Sequence, residues 1–317
     1  IQYISIFFEA FSKDFMTIKN RILVLDGQQI NSLCLVRRLT SKGIFVGSVS
    51  NNFISLSFFS NCAKQRFVVK KTERFYVRKV LNIAKRNNYN LIIPVSLTSC
   101  RLFSSSRELI HPDVTVVLPP AKSMEIAMNK PNTFKFAENL GFPIPKTIKV
   151  NSRNLSQIKG FVNENNFPLV IKGSKSGVEN LKYCNNNRQL VIGIKRLLRS
   201  EKEIICQEYI NGTAHGFYAF YDNGRMIAKF MHKRIKQFPV TGGASAVARS
   251  YSDDRLETLG KLLLDKLKWN GPAMVEFKLD SKDLNYKLIE INPKLWGSLD
   301  LTVSSGIDIP ELYVEKL

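Results

Sequence analysis

Two glutamates that face each other on a predicted β-hairpin constrain this chain more than any other feature of its sequence. Met274–Leu279 and Lys287–Asn292 alternate apolar and polar residues, as half-buried strands do, and the residues between them favour a turn. If the hairpin closes near Asp283, Glu276 lies directly opposite Glu290, and directly opposed side chains are only about 4.5–5.5 Å apart. Two negative charges at that distance repel each other unless a cation lies between them. The hairpin therefore predicts a cation site.

Asn292 adds an amide oxygen to the same strand face, because the register places it opposite Met274 and two residues from Glu290. Carboxylate and amide oxygens are ligands that Mg²⁺ prefers. We therefore predict that Glu276, Glu290 and Asn292 hold Mg²⁺, with Mn²⁺ as the alternative metal, and that the protein handles nucleotide phosphates. On an ordinary exposed hairpin face, the two glutamates would only destabilise the strands. The other face is predicted to be core and carries Val275, Phe277, Ile289 and Ile291.

The composition of the chain indicates a globular protein without a membrane span. Its 317 residues, 44% of them hydrophobic, are enough for two or three domains, and no run of about 18 apolar residues is present. The apolar N-terminal segment contains Glu9 and lacks a basic start, so no signal peptide is expected. The five cysteines are scattered without CxxC spacing, which favours free thiols and a cytoplasmic protein. The last residues lie inside a helix predicted to begin at Pro310, so truncation at the C-terminus is an open alternative.

Basic residues concentrate between residues 64 and 86, where Glu73 is the one acidic residue. The formal net charge of the whole chain is +21. Such a stretch is able to bind nucleic acid or an anionic membrane surface, or is simply a solvated helix face. Neither an aromatic-interleaved RNA motif nor a helix-turn-helix spacing accompanies it, so nucleic acid is not the expected partner.

The pattern of predicted elements changes near residue 118. Before it, short buried-type strands alternate with helices, as in an open α/β sheet, although a GxGxxG motif is absent. The strands are predicted over 21–26, 44–49, 90–95 and 114–118, and the helices over a segment through Cys34 and Leu39 and over 72–87. Beyond residue 118, the sequence predicts helices over 123–140 and 256–267, strands over 167–172 and 203–210, a 217–221/225–236 hairpin, and a glycine-rich loop over 241–245.

A series of charged and glycine-containing motifs resembles the ATP-grasp superfamily in type and order. In chain order the motifs are Lys130, Lys172, Gly173–Gly177, Gln207–Ile210, His232–Arg234, Gly242–Gly243, Glu276 and Glu290–Asn292. The most specific phrases are Gly141–Thr147 and Glu290–Gly297, and the resemblance covers roughly residues 20–317. The chain is similar to the carboxylate–amine ligase-like members, and also to carbamoyl-phosphate synthase and biotin carboxylase.

The resemblance implies a fold that combines α/β and α+β parts. A Rossmann-like domain would span residues 20–118, and a two-lobed ATP-grasp domain would span residues 119–317. The lid lobe of the second domain would cover residues 148–206, with hinges near Val150 and Gln207. ATP would then be bound between the two lobes.

The resemblance also assigns roles to individual residues. The ATP-binding residues would be Lys130, Lys172, Ser174, Ser176, Gly177, Glu208, Tyr209 and Ile210, and the catalytic residues would be Arg234 and Lys294. The two lysines of the first set would face the α- and β-phosphates, the loop residues would cover the phosphates, and the last three would hold adenine. Arg234 would bind the γ-phosphate or an acyl phosphate, and Lys294 stands where related proteins often carry Arg for the acid substrate.

Two classes of function are compatible with these residues. The first is an ATP-dependent ligase that activates a small carboxylate as an acyl phosphate for attack by an amine or a similar nucleophile, either as a monomer or as a homodimer. The second is a non-catalytic nucleotide- or nucleic-acid-binding protein that uses the basic 64–86 stretch. The predicted metal ligands favour the ligase, because a protein that only binds polyanions does not need facing carboxylates.

Overall fold

The computed structural model describes residues 20–71, 75–174, 181–238 and 243–317. The described residues form a mixed α/β structure with one parallel and two antiparallel sheets. They divide into two compact units: one comprises Asp308–Leu317 with the described residues up to Val117, and the other is Leu118–Ile307. None of the described helices combines the length and the apolar character that crossing a membrane requires.

The strands and helices are short and follow one another closely. The strands are β1 Arg21–Val24, β2 Phe45–Ser50, β3 Gln65–Val68, β4 Leu91–Ile93, β5 Thr115–Val116, β6 Thr147–Val150, β7 Leu169–Gly173, β8 Leu181–Cys184, β9 Ile204–Glu208, β10 Gly212–Asp222, β11 Arg225–Phe238, β12 Ala244–Ser250, β13 Gly271–Asp280 and β14 Tyr286–Asn292. The described α-helices are α1 Ile30–Ser41, α2 Tyr76–Arg86, α3 Leu97–Ser104, α4 Ala121–Met128, α5 Lys130–Asn139, α6 Gln157–Asn165, α7 Asn187–Leu197, α8 Asp254–Lys266, α9 Leu299–Ser304 and α10 Ile309–Val314.

The first unit is built on a parallel sheet with the strand order β3-β2-β1-β4-β5. Its central strands are apolar on both faces, and β1 and β4 are almost entirely buried, as strands covered on both sides must be. Helix α10 belongs to this unit because Asp308, at its start, pairs with Arg38 at 2.8 Å and with Lys42 at 2.9 Å. The four strands predicted before residue 118 are present, each within the predicted segment or one residue beyond it.

The second unit contains two antiparallel sheets, each with one apolar face. The small sheet has the order β6-β9-β7-β8, and the large sheet has the order β12-β11-β10-β13-β14. One face of the small sheet packs against α6 and α7, and one face of the large sheet packs against α8. Because side chains alternate between the two faces of a strand, the opposite face of each sheet is left for polar residues. We call these two opposite faces the site faces.

The register of the β13–β14 hairpin is the one that the sequence predicts. Glu276 pairs with Glu290, and Met274 pairs with Asn292. A bulge follows Glu276, so that Phe277 pairs with Leu288. Leu288 is therefore fully buried in the core, whereas Ile289 is only half-buried. The prediction that Ile289 is a core residue was wrong, because the extra residue of a bulge shifts the inward position by one.

The helix predicted over 123–140 is two helices. Helix α4 ends at Met128, and Asn129 caps α5 by accepting a hydrogen bond from the Asn132 amide at 3.0 Å. Pro131 explains the break, because a proline lacks the N–H that a continuous helix would need and its ring clashes with the carbonyl four residues earlier.

The predicted glycine-rich loop over 241–245 is also revised. Residues 241 and 242 lie outside the described residues, and strand β12 begins at Ala244.

The bulge in the hairpin predicts that Leu288 and Ile289 differ in their contributions to stability. Leu288→Ala should lower the free energy of unfolding by about 3 kcal/mol, because it leaves a cavity in the core, and Ile289→Ala should lower it by about 1 kcal/mol. Chemical denaturation of both variants measures the difference. A larger loss for Ile289→Ala than for Leu288→Ala would contradict the bulged register.

Candidate active site

The two facing glutamates lie on the site face of the large sheet and are partly buried. The side chains of Glu276 and Glu290 are 17% and 25% exposed, respectively. Their strand neighbours Val275 and Ile291 point into the core on the opposite face. The pair therefore does not lie on a freely solvated hairpin, where water would screen the repulsion between the carboxylates.

Each glutamate is paired with a cation from another element. Arg234 of β11 donates through Nη2 to Glu276 Oε2 at 3.2 Å, and Lys130 Nζ, at the start of α5, lies 3.5 Å from Glu290 Oε2. Asn292 is buried beside them and donates through Nδ2 to Glu290 Oε1 at 2.8 Å. The structure thus brings together all three predicted metal ligands and two of the predicted cations.

The two carboxylates differ in acidity. Burial and the charge of Glu290 raise the pKa of Glu276, although Arg234 and Lys294 act in the opposite direction. Burial would raise the pKa of Glu290 as well, but Lys130 and the Asn292 hydrogen bond outweigh it, so this pKa lies below its usual range. Glu290 is consequently the carboxylate that stays ionised, and an ionised carboxylate is the form that a divalent cation requires. The Lys294 side chain is close enough to stabilise both anions.

Lys172 is a buried cation on the site face of the small sheet. It lies near the end of β7 and is 6% exposed, with Nζ 5.8 Å from the centroid of the Phe134 ring. Burial, followed by the charge of Lys130, lowers the pKa of Lys172 to about 8. A lysine that is kept desolvated next to another lysine is a costly arrangement for the free protein, and such arrangements are typical of anion-binding sites.

The loop that the sequence predicts to cover the phosphates, Gly173–Gly177, is described only in part. Ser174 donates its hydroxyl to the carboxylate of Glu201, and its carbonyl oxygen accepts a hydrogen bond from the Lys130 amide at 3.0 Å. Ser174 is thus joined to the start of α5. The predicted site residues Ser176 and Gly177 lie outside the described residues.

The strand end at residues 208–210 lies next to these cations. Glu208 Oε1 accepts from the Lys146 amide at 2.8 Å, so this carboxylate is already bound to the backbone. The half-exposed ring of Tyr209 meets Tyr183 edge to face, with a centroid distance of 5.7 Å. The Ile210 carbonyl oxygen accepts from Lys278 Nζ at 2.9 Å.

The sequence did not identify Lys278 and Gln207 as site residues. Lys278 lies two residues after Glu276 on the same strand face, and its Nζ is 4.7 Å from the centroid of the Tyr209 ring. Burial and then the charge of Arg234 lower the pKa of Lys278. Gln207 shares a face with Lys172, since Val170 pairs with Gln207 and Lys172 with Ile205. The two-residue period of a strand could have identified both residues. On β13 it places Lys278 on the same face as Glu276, and on β9 it separates Gln207 from the core residue Cys206.

His232 lies on the site face next to Arg234 but is packed in the protein. It is 2% exposed, its Nε2 is 2.5 Å from the Tyr218 hydroxyl, and its Nδ1 is 3.3 Å from Ser298 Oγ. Burial and then the charge of Arg234 lower the pKa of His232 to about 4. The imidazole is therefore neutral at pH 7, and it stabilises the structure rather than acting as a charge in the site.

The charges of the described site do not balance. Its cations are Lys130, Lys172, Arg234, Lys278 and Lys294, whereas its carboxylates are Glu208, Glu276 and Glu290. Five cations and three carboxylates leave an excess of two positive charges, which suits a polyanion such as a phosphate chain. Arg234 Nε is also buried without a hydrogen-bond partner among the described residues. The oxygen ligands fit a hard divalent cation, and the excess charge with the free Arg234 donor fits nucleotide phosphates.

The chain is distantly similar to several known proteins, although no protein-family model matches it. The carbamoyl phosphate synthase large chain of Saccharolobus islandicus is 22% identical over 265 residues, which cover 75% of this chain and 24% of that protein. An uncharacterized protein of Methanocaldococcus jannaschii is 27% identical over 183 residues, which cover 57% of this chain and 44% of that protein. The chain thus spans about a quarter of the length of the carbamoyl phosphate synthase chains that it matches.

Solved structures share the fold over almost the whole chain. The biotin carboxylase domain of Hydrogenobacter thermophilus 2-oxoglutarate carboxylase gives a TM-score of 0.73 at 16% identity, covering 93% of this chain and 68% of that chain. Biotin carboxylase of Campylobacter jejuni gives 0.73 at 14% identity, covering 93% and 70%. N5-carboxyaminoimidazole synthetase of Staphylococcus aureus gives 0.66 at 13% identity, covering 90% and 73%. The fold of this chain is therefore the ATP-grasp fold, and the proteins that it resembles are ATP-grasp carboxylate–amine ligases.

Proposed function

We propose that the chain is an ATP-dependent, carbon–nitrogen bond-forming ligase that activates a small carboxylate as an acyl phosphate for attack by an amine or a similar nucleophile. The observation that carries this proposal is the facing pair Glu276 and Glu290 among side chains with an excess of positive charge. Mg²⁺ matches the carboxylate and amide oxygens of the site, and ATP matches its excess positive charge. The H. thermophilus and S. aureus relatives were solved with MgADP and with ADP, respectively, which supports the same cofactors here.

In this proposal, Glu276, Glu290 and Asn292 hold Mg²⁺. When bound, Mg²⁺ offsets phosphate charge and orients the phosphate chain for transfer. Glu290 is prepared for this role because its pKa is lowered, and Lys130 and Arg234 balance the two carboxylates when the metal is absent. The ligand set is small, so the phosphate oxygens would complete the coordination, as is usual for Mg²⁺.

The cations of the site would bind the phosphates and stabilise the charge that develops during phosphoryl transfer. Lys130 and Lys172 stand together next to Glu290 and would bind the α- and β-phosphates. Arg234 Nε has no hydrogen-bond partner among the described residues, and the guanidinium would bind the γ-phosphate and then the acyl phosphate, for which its planar shape is well suited. Lys294 would attract the carboxylate substrate through the charge of its ammonium group, whereas an arginine would form two parallel hydrogen bonds to the carboxylate.

The acid and the nucleophile are proposed only as classes. The H. thermophilus relative was solved with bicarbonate, which makes bicarbonate one candidate acid. Screening carboxylic acids and bicarbonate against ammonia and amines for pairs that stimulate ADP release would identify them. A chain that binds Mg·ATP but releases ADP with none of the pairs would count against the ligase.

We propose functional roles for the parts of the chain as well. Residues 20–118 would form a Rossmann-like domain, which the strand order of the parallel sheet supports. Within an ATP-grasp domain over 119–317, the small-sheet lobe over about 148–206 would close over ATP, hinged near Val150 and Gln207. Closure would keep water away from the acyl phosphate. We further propose a cytoplasmic location and a homodimer, since the H. thermophilus relative was solved as a dimer.

A non-catalytic protein that binds polyanions through the basic 64–86 stretch is the less favoured alternative. It would explain the positive charge of that stretch. It gives no reason for two partly buried carboxylates that oppose each other beside the cations Lys130 and Arg234.

Glu290→Gln should abolish the metal-dependent reaction without unfolding the protein. The variant loses the ionised metal ligand, and we expect the rate of Mg²⁺-dependent ADP release to fall by about 10²–10³-fold. The lowered pKa of Glu290 means that its charge stabilises the fold, so the melting temperature of the free protein should fall modestly, with the lost repulsion from Glu276 offsetting part of the effect, and the variant should remain folded by circular dichroism. Glu164→Gln, an exposed change on α6, is the matched control. Retention of the wild-type rate in Glu290→Gln would contradict the assignment of the metal ligands.

Lys172→Met should stabilise the free protein and weaken ATP binding. The pKa of Lys172 falls from 10.5 to about 8 on folding. Charged Lys172 therefore destabilises the fold at all pH values below about 8, and this cost disappears as the pH rises to 10.5. At pH 7 the variant should gain up to about 3 kcal/mol of unfolding free energy, with less gain at pH 10. Its affinity for Mg·ATP should fall about 10- to 150-fold.

Thermal unfolding at both pH values and calorimetry with Mg·ATP measure the two effects of Lys172→Met. Lys159→Met, a change of an exposed lysine on α6, is the control and should alter neither quantity. Unchanged ATP affinity in Lys172→Met would show that this lysine does not bind phosphate.

A further inference from the structure

Large apolar side chains are exposed on the first unit, the one that contains the parallel sheet. Phe53 and Ile54 are 80% and 81% exposed, and Phe59, later in the same connection between β2 and β3, is 75% exposed. Single exposed apolar residues are ordinary, whereas several that lie together mark an interaction surface. We call the exposed side chains that follow strands β1, β2 and β3 the apolar edge, and they are Ile30, Phe53, Ile54, Phe59 and Phe75.

The backbone gathers the apolar edge at one end of the sheet. Strands β1, β2 and β3 are parallel neighbours, so the segments that leave their carboxyl ends start from the same side of the sheet. The Gly27 amide donates to the Val49 carbonyl oxygen, and the Ser57 amide donates to the Gly27 carbonyl oxygen, both at 2.9 Å. These two hydrogen bonds hold the segment after β2 beside the end of β1. The apolar side chains therefore protrude from a hydrogen-bonded part of the backbone.

Exposed basic residues border the apolar edge. Because the Val69 amide donates to the Ser50 carbonyl oxygen at 2.8 Å, the exposed Lys70 lies next to the point where the chain leaves β2. Arg66 donates through Nη2 to the Ser60 carbonyl oxygen at 3.3 Å, near the other end of the same connection. Two more basic residues are exposed in the first turn of α2. We call these residues the basic border, and they are Lys64, Arg66, Lys70, Arg78 and Lys79.

This combination of apolar and basic side chains fits the surface of an anionic lipid bilayer. Between residues 27 and 107, Glu73 is the one acidic residue in the sequence, against fourteen basic ones. Acyl chains accept apolar side chains without a preformed pocket, and anionic headgroups attract lysine and arginine. A second copy of the chain would also cover the apolar edge, but a symmetric contact would set the two basic borders against each other.

We propose that the first unit attaches the protein to the surface of an anionic phospholipid bilayer. The apolar edge inserts at the boundary between headgroups and acyl chains, and the basic border pairs with the lipid phosphates and carboxylates. The inference rests on the first unit alone and is independent of the proposed ligase reaction. It gives the basic 64–86 stretch a role, and it agrees with the proposed cytoplasmic location because the cytoplasmic leaflet carries anionic lipids.

Co-sedimentation of the whole chain with lipid vesicles tests the inference. Wild type should bind vesicles of phosphatidylcholine with about 30% phosphatidylserine, and it should bind pure phosphatidylcholine vesicles at least about tenfold more weakly. Phe53→Ser with Ile54→Ser should weaken binding to the anionic vesicles about 10- to 100-fold, because both side chains lose their contact with acyl chains. Val191→Ser with Ile192→Ser, an exposed apolar pair on α7, is the matched control and should bind like wild type.

Two further variants separate insertion from attraction by charge. Phe53→Trp reports insertion directly, because the native Trp269 and Trp296 are buried and their emission should not respond to lipid. The added indole should emit at shorter wavelength with anionic vesicles and should be quenched by brominated acyl chains. Lys64→Gln with Lys70→Gln should weaken binding about tenfold while leaving the quenching of bound protein unchanged.

Failure of wild type to sediment with the anionic vesicles, or unchanged binding in Phe53→Ser with Ile54→Ser, would overturn the inference. If the lysine changes weaken binding but the indole is not quenched, the stretch binds polyanions such as nucleic acid through charge alone, and the membrane assignment is wrong. If wild type ignores vesicles but self-associates, and the double serine variant does not, the apolar edge binds a second copy of the chain instead.

Discussion

The repulsion between two opposed carboxylates is the interaction on which the rest of the site depends. The hairpin register fixes Glu276 opposite Glu290, and a shift of one strand by one residue would turn the apolar side chains of that strand out of the core. The charges therefore stay together and are balanced from outside the hairpin. Arg234 supplies one cation and Lys130 the other, and they come from a strand and a helix that the fold brings to the same face.

Each of the two sheets of the second unit contributes part of the site, because side chains alternate between the two faces of a strand. Each uses one face for a core and leaves the other for polar side chains. The small sheet contributes Lys172 and Gln207, and the large sheet contributes the carboxylates and Lys278. The costs are visible in the free protein: the pKa of Lys172 is lowered, and Gln207 Oε1 has no partner among the described residues. In the proposed function, a phosphate chain bound at Lys172 would remove the first of these costs.

The sequence was sufficient to predict which residues of the hairpin pair with each other. It was insufficient to predict elements whose residues show little alternation of apolar and polar side chains. Alternation and turn chemistry placed Glu276 opposite Glu290, but consecutive apolar residues at 288 and 289 gave no sign of the bulge. The strands that were not predicted, β3, β6, β8 and β12, all lie at sheet edges, where fewer residues are buried and the apolar signal is weak. Lys278 was missed because a lysine on a strand ordinarily faces solvent, and Gln207 because its significance lies in an unpaired oxygen.

The central claim is that Glu276 and Glu290 bind a divalent metal together with ATP, and electron paramagnetic resonance of Mn²⁺ tests it most directly. Titration of Mn²⁺ into wild type should show weak binding alone and tight binding at one site when ATP is present. The double variant Glu276→Gln with Glu290→Gln should lose the tight, ATP-dependent site while remaining folded, as judged by circular dichroism. Tight ATP-dependent binding of Mn²⁺ that persists in the double variant would contradict the account.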